Sequence, residues 1–385
     1  MNTERKKILI VVNYFAPYVS GVSEYARAVA SSLTPFHDIV VLTGRHDMAL
    51  PSIEQVDGYL IERATPLFFF NKGYISTDFV SRFRRLAKAA DMVNIHFPML
   101  ESGLLSMLTS KPLLLTYQCD MALVGSRISQ LAVAGVRLSG KIALSRASRI
   151  VVLSKDYAQS SVILEPYLDK IIEVSPPNRF ESPRLSSISD TLEPDNISDT
   201  PFILGFVGRF VEEKGIGTIL KAAELLKNES CEFWLAGDYE SVAGGSIFKQ
   251  LETQIVSLGG RVRLLGKLSE EELVKFYSKI DVLLLPSTNR FEAFGMVQME
   301  AMEFGAMAVT SDMPGVREVV LKTGMGELCE PSSPQSLAEA IRRAIKRRKV
   351  TSRAIVRDKL HEHFSLEQFT QSYIELVAQV TGRFI

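Results

Sequence analysis

The sequence predicts an α/β protein of two parallel-sheet halves, and three observations carry that expectation. Short β-branched and leucine-rich runs alternate with longer helical patterns, the signature of βαβ units around a sheet buried on both faces. The series breaks once, where residues 176–201 are crowded with Ser, Pro, Asp and Thr and carry no apolar period, as an interdomain linker does. The chain is also 385 residues long, more than one hydrophobic core usually organises. At 46% hydrophobic and 23% charged it has globular composition, so disorder is excluded as the dominant state.

Taken in order, MNTERKK precedes only five apolar residues, ILIVV, before Asn13. That run is too short for a signal peptide core and reads as a buried first strand over 8–12. Further strands are expected at 39–42, 92–95, 113–116, 150–153 and 171–174, with an amphipathic helix over 79–90 whose basic face carries Arg82, Arg84, Arg85 and Lys88. These elements make a first domain over 1–175. After the linker, strands are expected at 202–207, 233–236, 262–264, 282–285 and 307–309, giving a second domain over 202–365. The tail is helical from about Pro334, and a last helix begins at Leu366 and packs on its own domain or crosses to the first. No run approaches the roughly 18 apolar residues of a membrane span, so any membrane association is expected to be peripheral. Cys119, Cys231 and Cys329 are far apart, without C-x-x-C spacing, which fits a reducing, cytoplasmic setting and excludes a disulfide framework.

Ligands of parallel α/β sheets bind at the carboxyl ends of strands, where helix N-termini offer free N–H groups to phosphate. Four such loops stand out. In YFAPYVSGVSEY (14–25) Gly21 allows a backbone to approach a ligand, and Ser23 or Glu24 caps the following helix; a turn and cap alone would read the same way. No G-x-G-x-x-G follows, so a nicotinamide dehydrogenase is poorly supported. In GRFVEEKGIG (208–217) Arg209 and Lys214 lie five residues apart on one Gly-flanked loop and can clamp a diphosphate, unless Lys214 merely pairs with Glu212 or Glu213. In RFEAFGMVQMEAM (290–302) Glu292 and Glu300 flank the turn Phe294-Gly295-Met296-Val297. Its N–H groups suit a phosphate, and carboxylates beside a phosphate are wasteful unless they bind hydroxyl donors or a metal. Finally, NIHFP (94–98) and TYQCDM (116–121) place His96, Gln118 and Asp120 at strand ends, either as site groups or as structural hydrogen-bonders.

Together GRFVEEKG, the E-x7-E element from Glu292 to Glu300, the later SDMPGVREVV and the Gly-bearing first loop resemble the retaining glycosyltransferases of family 4. The resemblance implies a GT-B fold, two Rossmann-like domains facing each other across a cleft, with the first domain on the acceptor side. It implies that Arg209 and Lys214 neutralise the donor diphosphate, that Glu292 contacts the donor sugar, and that Glu300 holds the ribose hydroxyls. It also implies that the backbone of Phe294, Gly295, Met296 and Val297 wraps sugar and phosphate, with Gly21 approaching the diphosphate. Two departures stand out: Gln118 occupies the place of the family's usual His, so an imidazole role is lost or moved to His96, and SPPNRF (175–180) replaces the usual Pro-Asn-Gly-Val-Asp segment.

The implied reaction moves a hexose-like unit from a nucleoside diphosphate sugar, UDP- or GDP-sugar first, to a glycan or lipid-linked hydroxyl with retention of configuration. No cofactor is called for, and because no D-x-D triplet occurs, no metal. A nucleotide-sugar epimerase, a sugar phosphorylase and a non-catalytic nucleotide-sugar-binding module remain as alternatives. The 44 basic and 44 acidic residues balance overall, which argues against a nucleic-acid partner, yet residues 1–180 hold 20 basic against 15 acidic. From Met121 to Lys155 there are six basic residues and no acidic one, so contact with an anionic lipid, at the inner face of a membrane, is expected.

Overall fold

The computed structural model describes residues 5–70, 73–121, 127–181, 200–239 and 246–382. The chain forms two compact units, one of Met1–Pro177 with Leu366–Ile385 and one of Asn178–Ser365. Residues 182–199, the greater part of the expected linker, lie outside the described residues.

The first unit is built on an eight-stranded sheet of β1 (Lys7–Val11), β2 (Asp38–Gly44), β3 (Ile53–Val56), β4 (Tyr59–Ala64), β7 (Met92–Phe97), β8 (Leu113–Tyr117), β9 (Arg149–Val152) and β10 (Ile171–Glu173). A separate two-stranded ribbon pairs β5 (Phe68–Phe70) with β6 (Gly73–Ile75). Its helices are α1 (Gly21–Leu33), α2 (Thr77–Ala89), α3 (Ser102–Met107), α4 (Arg127–Arg146) and α5 (Lys155–Gln159). The sheet runs β10-β9-β8-β7-β1-β2-β4-β3, parallel except for β3 on β4. Helices cover both faces, so β1 is apolar on successive residues, with Ile8, Ile10 and Val11 closed to solvent, while β7 buries Val93 and Ile95 in alternation with the polar Asn94 and His96. β3 and β4 were not expected: β3 is a four-residue edge strand that alternates exposed with half-buried residues, too short and too polar to stand out as a core strand. The α1 cap also differs from expectation. Ser20, not Ser23 or Glu24, is the N-cap, accepting from the Ser23 N–H while Ser23 Oγ accepts from the Ser20 N–H.

The second unit is a six-stranded sheet of β11 (Phe202–Val207), β12 (Cys231–Ala236), β13 (Val262–Gly266), β14 (Val282–Leu285), β15 (Met307–Ser311) and β16 (Gly326–Cys329). Its helices are α6 (Ile216–Leu225), α7 (Phe248–Ser257), α8 (Glu270–Lys279), α9 (Val297–Glu303), α10 (Glu318–Thr323), α11 (Pro334–Arg348) and α12 (Arg353–His363). The order is β13-β12-β11-β14-β15-β16, and every pair is parallel. The chain leaves β11 toward β12 on one side and returns to β14 on the other, so the loops after β11 and β14 open at the point where the order reverses. Such a point is where open α/β sheets bind ligands.

The last helix, α13 (Leu366–Val380), belongs to the first unit. Phe369, Tyr373, Leu376 and Val377 are buried; Phe369 and Tyr373 meet the ring of Tyr25 on α1 at 5.6 and 6.4 Å. Tyr373 donates to Tyr25 Oη at 3.3 Å, and Tyr25 donates to the Val174 carbonyl at 2.8 Å. Among the described residues no helix is long and apolar enough to cross a membrane.

Candidate functional site

The loop after β11 is held against its neighbours by glycine. Gly215 has φ +71°, and a Cβ there would lie 2.0 Å from the Pro286 carbonyl oxygen, while one at Gly237 would lie 1.8 Å from that of Gly208. Only glycine fits such approaches. The Thr288 N–H donates to the Glu213 carbonyl at 2.9 Å, tying the loop after β11 to the loop after β14. The result is that the Lys214 ammonium sits on the Glu292 carboxylate, both side chains keeping partial exposure. Lys214 therefore does not pair with Glu212 or Glu213 of its own loop. It is Arg209 that lies within 3.6 Å of Glu213, with 48% of its side chain open to solvent.

The turn from Glu292 into α9 is fixed from beneath. Gly295 has φ +80°, and a Cβ there would meet Leu285 Cδ2 at 2.4 Å. Buried Gln298 donates to the Phe294 carbonyl at 3.1 Å and to that of Val316 at 2.9 Å. Phe294 is buried and meets Phe364 edge-on at 6.0 Å. Among the described residues the N–H groups of Gly295, Met296 and Val297 find no backbone acceptor, as the opening of a helix requires. They therefore remain available to an anion.

Glu300 is 8% exposed and held on two sides. Tyr277 Oη donates to Oε2 at 2.6 Å, and the Arg179 guanidinium reaches Oε1 at 3.0 Å and Oε2 at 3.2 Å. Arg179 lies over the ring of Phe180 at 4.8 Å. One turn on, Glu303 is fully buried and accepts from Asn178 Nδ2 at 2.7 Å, with His361 Nε2 at 2.7 Å and Arg357 at 3.0 Å. Glu303 raises the His361 pKa. Sequence reasoning found Glu300 but not Arg179 or Tyr277. Arg179 stands in the SPPNRF stretch, 121 positions away from the carboxylate it meets, and no local spacing signals such a pair.

In the first unit the structure brings His96 and Gln118 together and seals them. His96 has no exposed surface; its Nδ1 lies 3.1 Å from Gln118 Nε2 and its Nε2 lies 3.4 Å from Asn94 Nδ2. Burial lowers its pKa to about 3, so the ring is neutral near pH 7 and closed to a sugar in this arrangement. Asp120 accepts from Tyr117 Oη and Ser161 Oγ, each at 2.8 Å, and its N–H donates to Tyr157 Oη at 2.7 Å. Gly21 is the exposed first residue of α1. The loop before it is pinned by buried Arg63, which donates to the Ala16 carbonyl at 2.9 Å. Among the described residues no group of three or more His, Cys, Asp or Glu side chains gathers as a metal site.

Residues 188–360 match the family model of the glycosyl transferases group 1. The D-rhamnosyltransferase WbpZ of Pseudomonas aeruginosa is 28% identical over 305 residues, 76% of this chain and 74% of that protein. An uncharacterised glycosyltransferase of Methanocaldococcus jannaschii is 33% identical over 137 residues, 35% of this chain. The first curated relatives are matched over little more than a third of their length, 36% and 37%. HepE of Anabaena, solved in complex with UDP and glucose, superposes with a TM-score of 0.71 at 18% identity, covering 97% of this chain and all of that one. The fold is GT-B, two Rossmann-like parallel-sheet units with C-terminal helices.

Proposed function

We propose, from the premise that residues 188–360 carry a group 1 glycosyl transferase domain on a GT-B fold, that the chain is a retaining, metal-independent glycosyltransferase. It moves a hexose-like unit from a nucleoside diphosphate sugar to a hydroxyl of a glycan or lipid-linked acceptor, in the synthesis of an envelope glycan, glycolipid or polysaccharide. The setting we assign is the cytoplasm, at the inner face of a membrane. The pairing of Lys214 with Glu292 carries the reading. Two loops from adjacent strands bring a cation suited to phosphate against a carboxylate suited to sugar hydroxyls, with Arg209 on the first loop and the open N–H groups of Gly295 to Val297 on the second. HepE of Anabaena, solved with UDP and glucose bound, supports the same assignment of phosphate and sugar.

In the reaction, the bond between the anomeric carbon and the β-phosphate oxygen breaks while the acceptor oxygen bonds that carbon on the same face. The acceptor proton passes to the departing phosphate oxygen, so no protein base is consumed. Negative charge grows on the leaving diphosphate, and Lys214 and Arg209 stabilise it. Glu292 leaves Lys214 for a donor hydroxyl as the phosphate takes the ammonium. Glu300 accepts from the ribose.

A thermal-shift panel of UDP-, GDP- and ADP-sugars tests the donor, since a specific one stabilises the folded chain by mass action. Lys214→Ala is expected to lower transfer of labelled sugar about 100-fold or more with the fold intact. Unchanged transfer would remove Lys214 from the mechanism. Label retained on the nucleotide in altered configuration would mark an epimerase, and label released as sugar phosphate a phosphorylase. Loss of turnover on chelation, restored by Mg or Mn, would overturn the metal-free assignment.

A further inference from the structure

The first sheet has a crevice of its own, because its order reverses between β1 and β7. The loops that follow those two strands open at that reversal. The loop after β7 carries Glu101, whose carboxylate meets no cation and no side-chain donor among the described residues, and whose pKa burial raises. Glu101 borders a groove of about 800 Å³ between α2 and α3, within the size range of small-molecule sites.

The groove is apolar along its walls and cationic at one side. Ile75, Leu100 and Leu104 line it although each is more than 40% exposed, and Val80 joins them from α2. The apolar strip continues beyond it, since exposed Phe68 stands opposite Ile75 in the β5–β6 ribbon and exposed Met107 ends α3. A contiguous exposed apolar surface of this kind marks a binding face. Arg84 also lines the groove, and it carries no ion pair among the described residues, unlike Arg82 and Arg85, which Glu62 and Asp78 engage. Lys88 follows Arg84 one helical turn on, also exposed. Thr77, at the start of α2, lines the same groove, and seven residues of helix put Arg84 about 10 Å further along it. An occupant that satisfies all three features has hydroxyls for Glu101, a hydrocarbon chain for the apolar walls and an anionic group for Arg84.

We propose that the groove seats the chain of a phosphate-bearing lipid acceptor, its phosphate on Arg84 and its hydroxyl-bearing head toward Glu101. This rests on the reading of the chain as a sugar transferase and names its acceptor class. The test titrates the full chain by calorimetry with hexyl, octyl and decyl phosphate below their micelle concentrations, and with inorganic phosphate and decyl glucoside. Affinity should rise about fourfold for each added methylene until the groove is full. Arg84→Glu should weaken decyl phosphate about tenfold or more while leaving decyl glucoside unchanged. Leu104→Asp should flatten the dependence on chain length. Both side chains are exposed, so melting temperature and nucleotide-sugar binding should stay as in the parent chain. Equal binding of inorganic and decyl phosphate, or indifference to Arg84→Glu, would overturn the proposal. So would a dimer in light scattering that Leu104→Asp dissolves, which would assign the groove to a second copy. Decyl phosphate held by a chain that no nucleotide sugar stabilises would keep the lipid site and remove the transfer reading beneath it.

Discussion

At Glu300 a carboxylate, a guanidinium and a phenol share one small buried volume. Removing Arg179 would leave the carboxylate against Tyr277 without its cation. Loss of one partner of a buried pair is strongly destabilising, and the residual exposure of both side chains here moderates it to about 1–3 kcal/mol. Arg179→Ala should lower stability to urea by that amount and weaken nucleotide binding, with Arg179→Lys recovering part of each. His96 makes the opposite kind of prediction. Its folded pKa, about 3, lies below its ordinary 6.5, so as pH falls the unfolded chain takes the proton first. Stability is complete above pH 6.5 and declines toward pH 3 by up to about 5 kcal/mol. Unfolding of His96→Gln should lack that decline. The two residues also mark what the sequence could carry at this scale. Glu300 was legible because it stands eight positions from Glu292 in a glycine-marked turn, whereas Arg179 reaches it from the far side of an aperiodic stretch. His96 was legible as a strand-end imidazole, but its closure depends on Gln118, just past the end of neighbouring β8, which only the register brings beside it.

Among the elements, the loop between β11 and α6 has little freedom. Alanine at 215 would need φ near +71° and would place its Cβ 2.0 Å from the Pro286 carbonyl oxygen, so the two loops would have to part. Gly215→Ala is expected to cost about 1–3 kcal/mol of stability and, by moving Lys214 off Glu292, to cost activity beyond what the lost stability explains. Calorimetric melting and transfer kinetics on the same preparation separate the two effects. Most strands that the sequence announced carry continuous apolar runs, such as β1 and β14, which leave little choice of state. The strands that escaped are β3, β5 and β6, of three or four residues, β4, whose buried Glu62 and Arg63 interrupt its apolar run, and β16, whose Gly326 and Glu327 dilute its apolar signal. α2 was visible through its period, but the groove it lines was not. That groove depends on Leu100, Glu101 and Leu104, which lie in another part of the sequence and look ordinary there.

For the whole molecule, the first unit is discontinuous in sequence, and the second is inserted into it between Pro177 and Leu366. Phe369, Tyr373, Leu376 and Val377 bury themselves in that unit, and at about 1.5–3 kcal/mol per side chain their loss rivals the net stability of a domain. A chain ended after Ser365 should therefore lose the cooperative melting of the first unit and keep that of the second, including any stabilisation by a nucleotide sugar. Loss of both transitions would show that the second unit depends on the first. Two halves were legible from the linker and the strand series, and the last helix was legible as a helix; its membership was not, because an amphipathic period says which face is buried and nothing of what covers it. The insertion also sets an order in time. On a ribosome the first 177 residues emerge with their last helix still unmade, and the whole second unit can close before α13 arrives to cover Tyr25. The first unit thus waits with an unpaired apolar face for the length of 188 further residues, Asn178–Ser365, and during synthesis it is that half which exposes surface to chaperones and to aggregation.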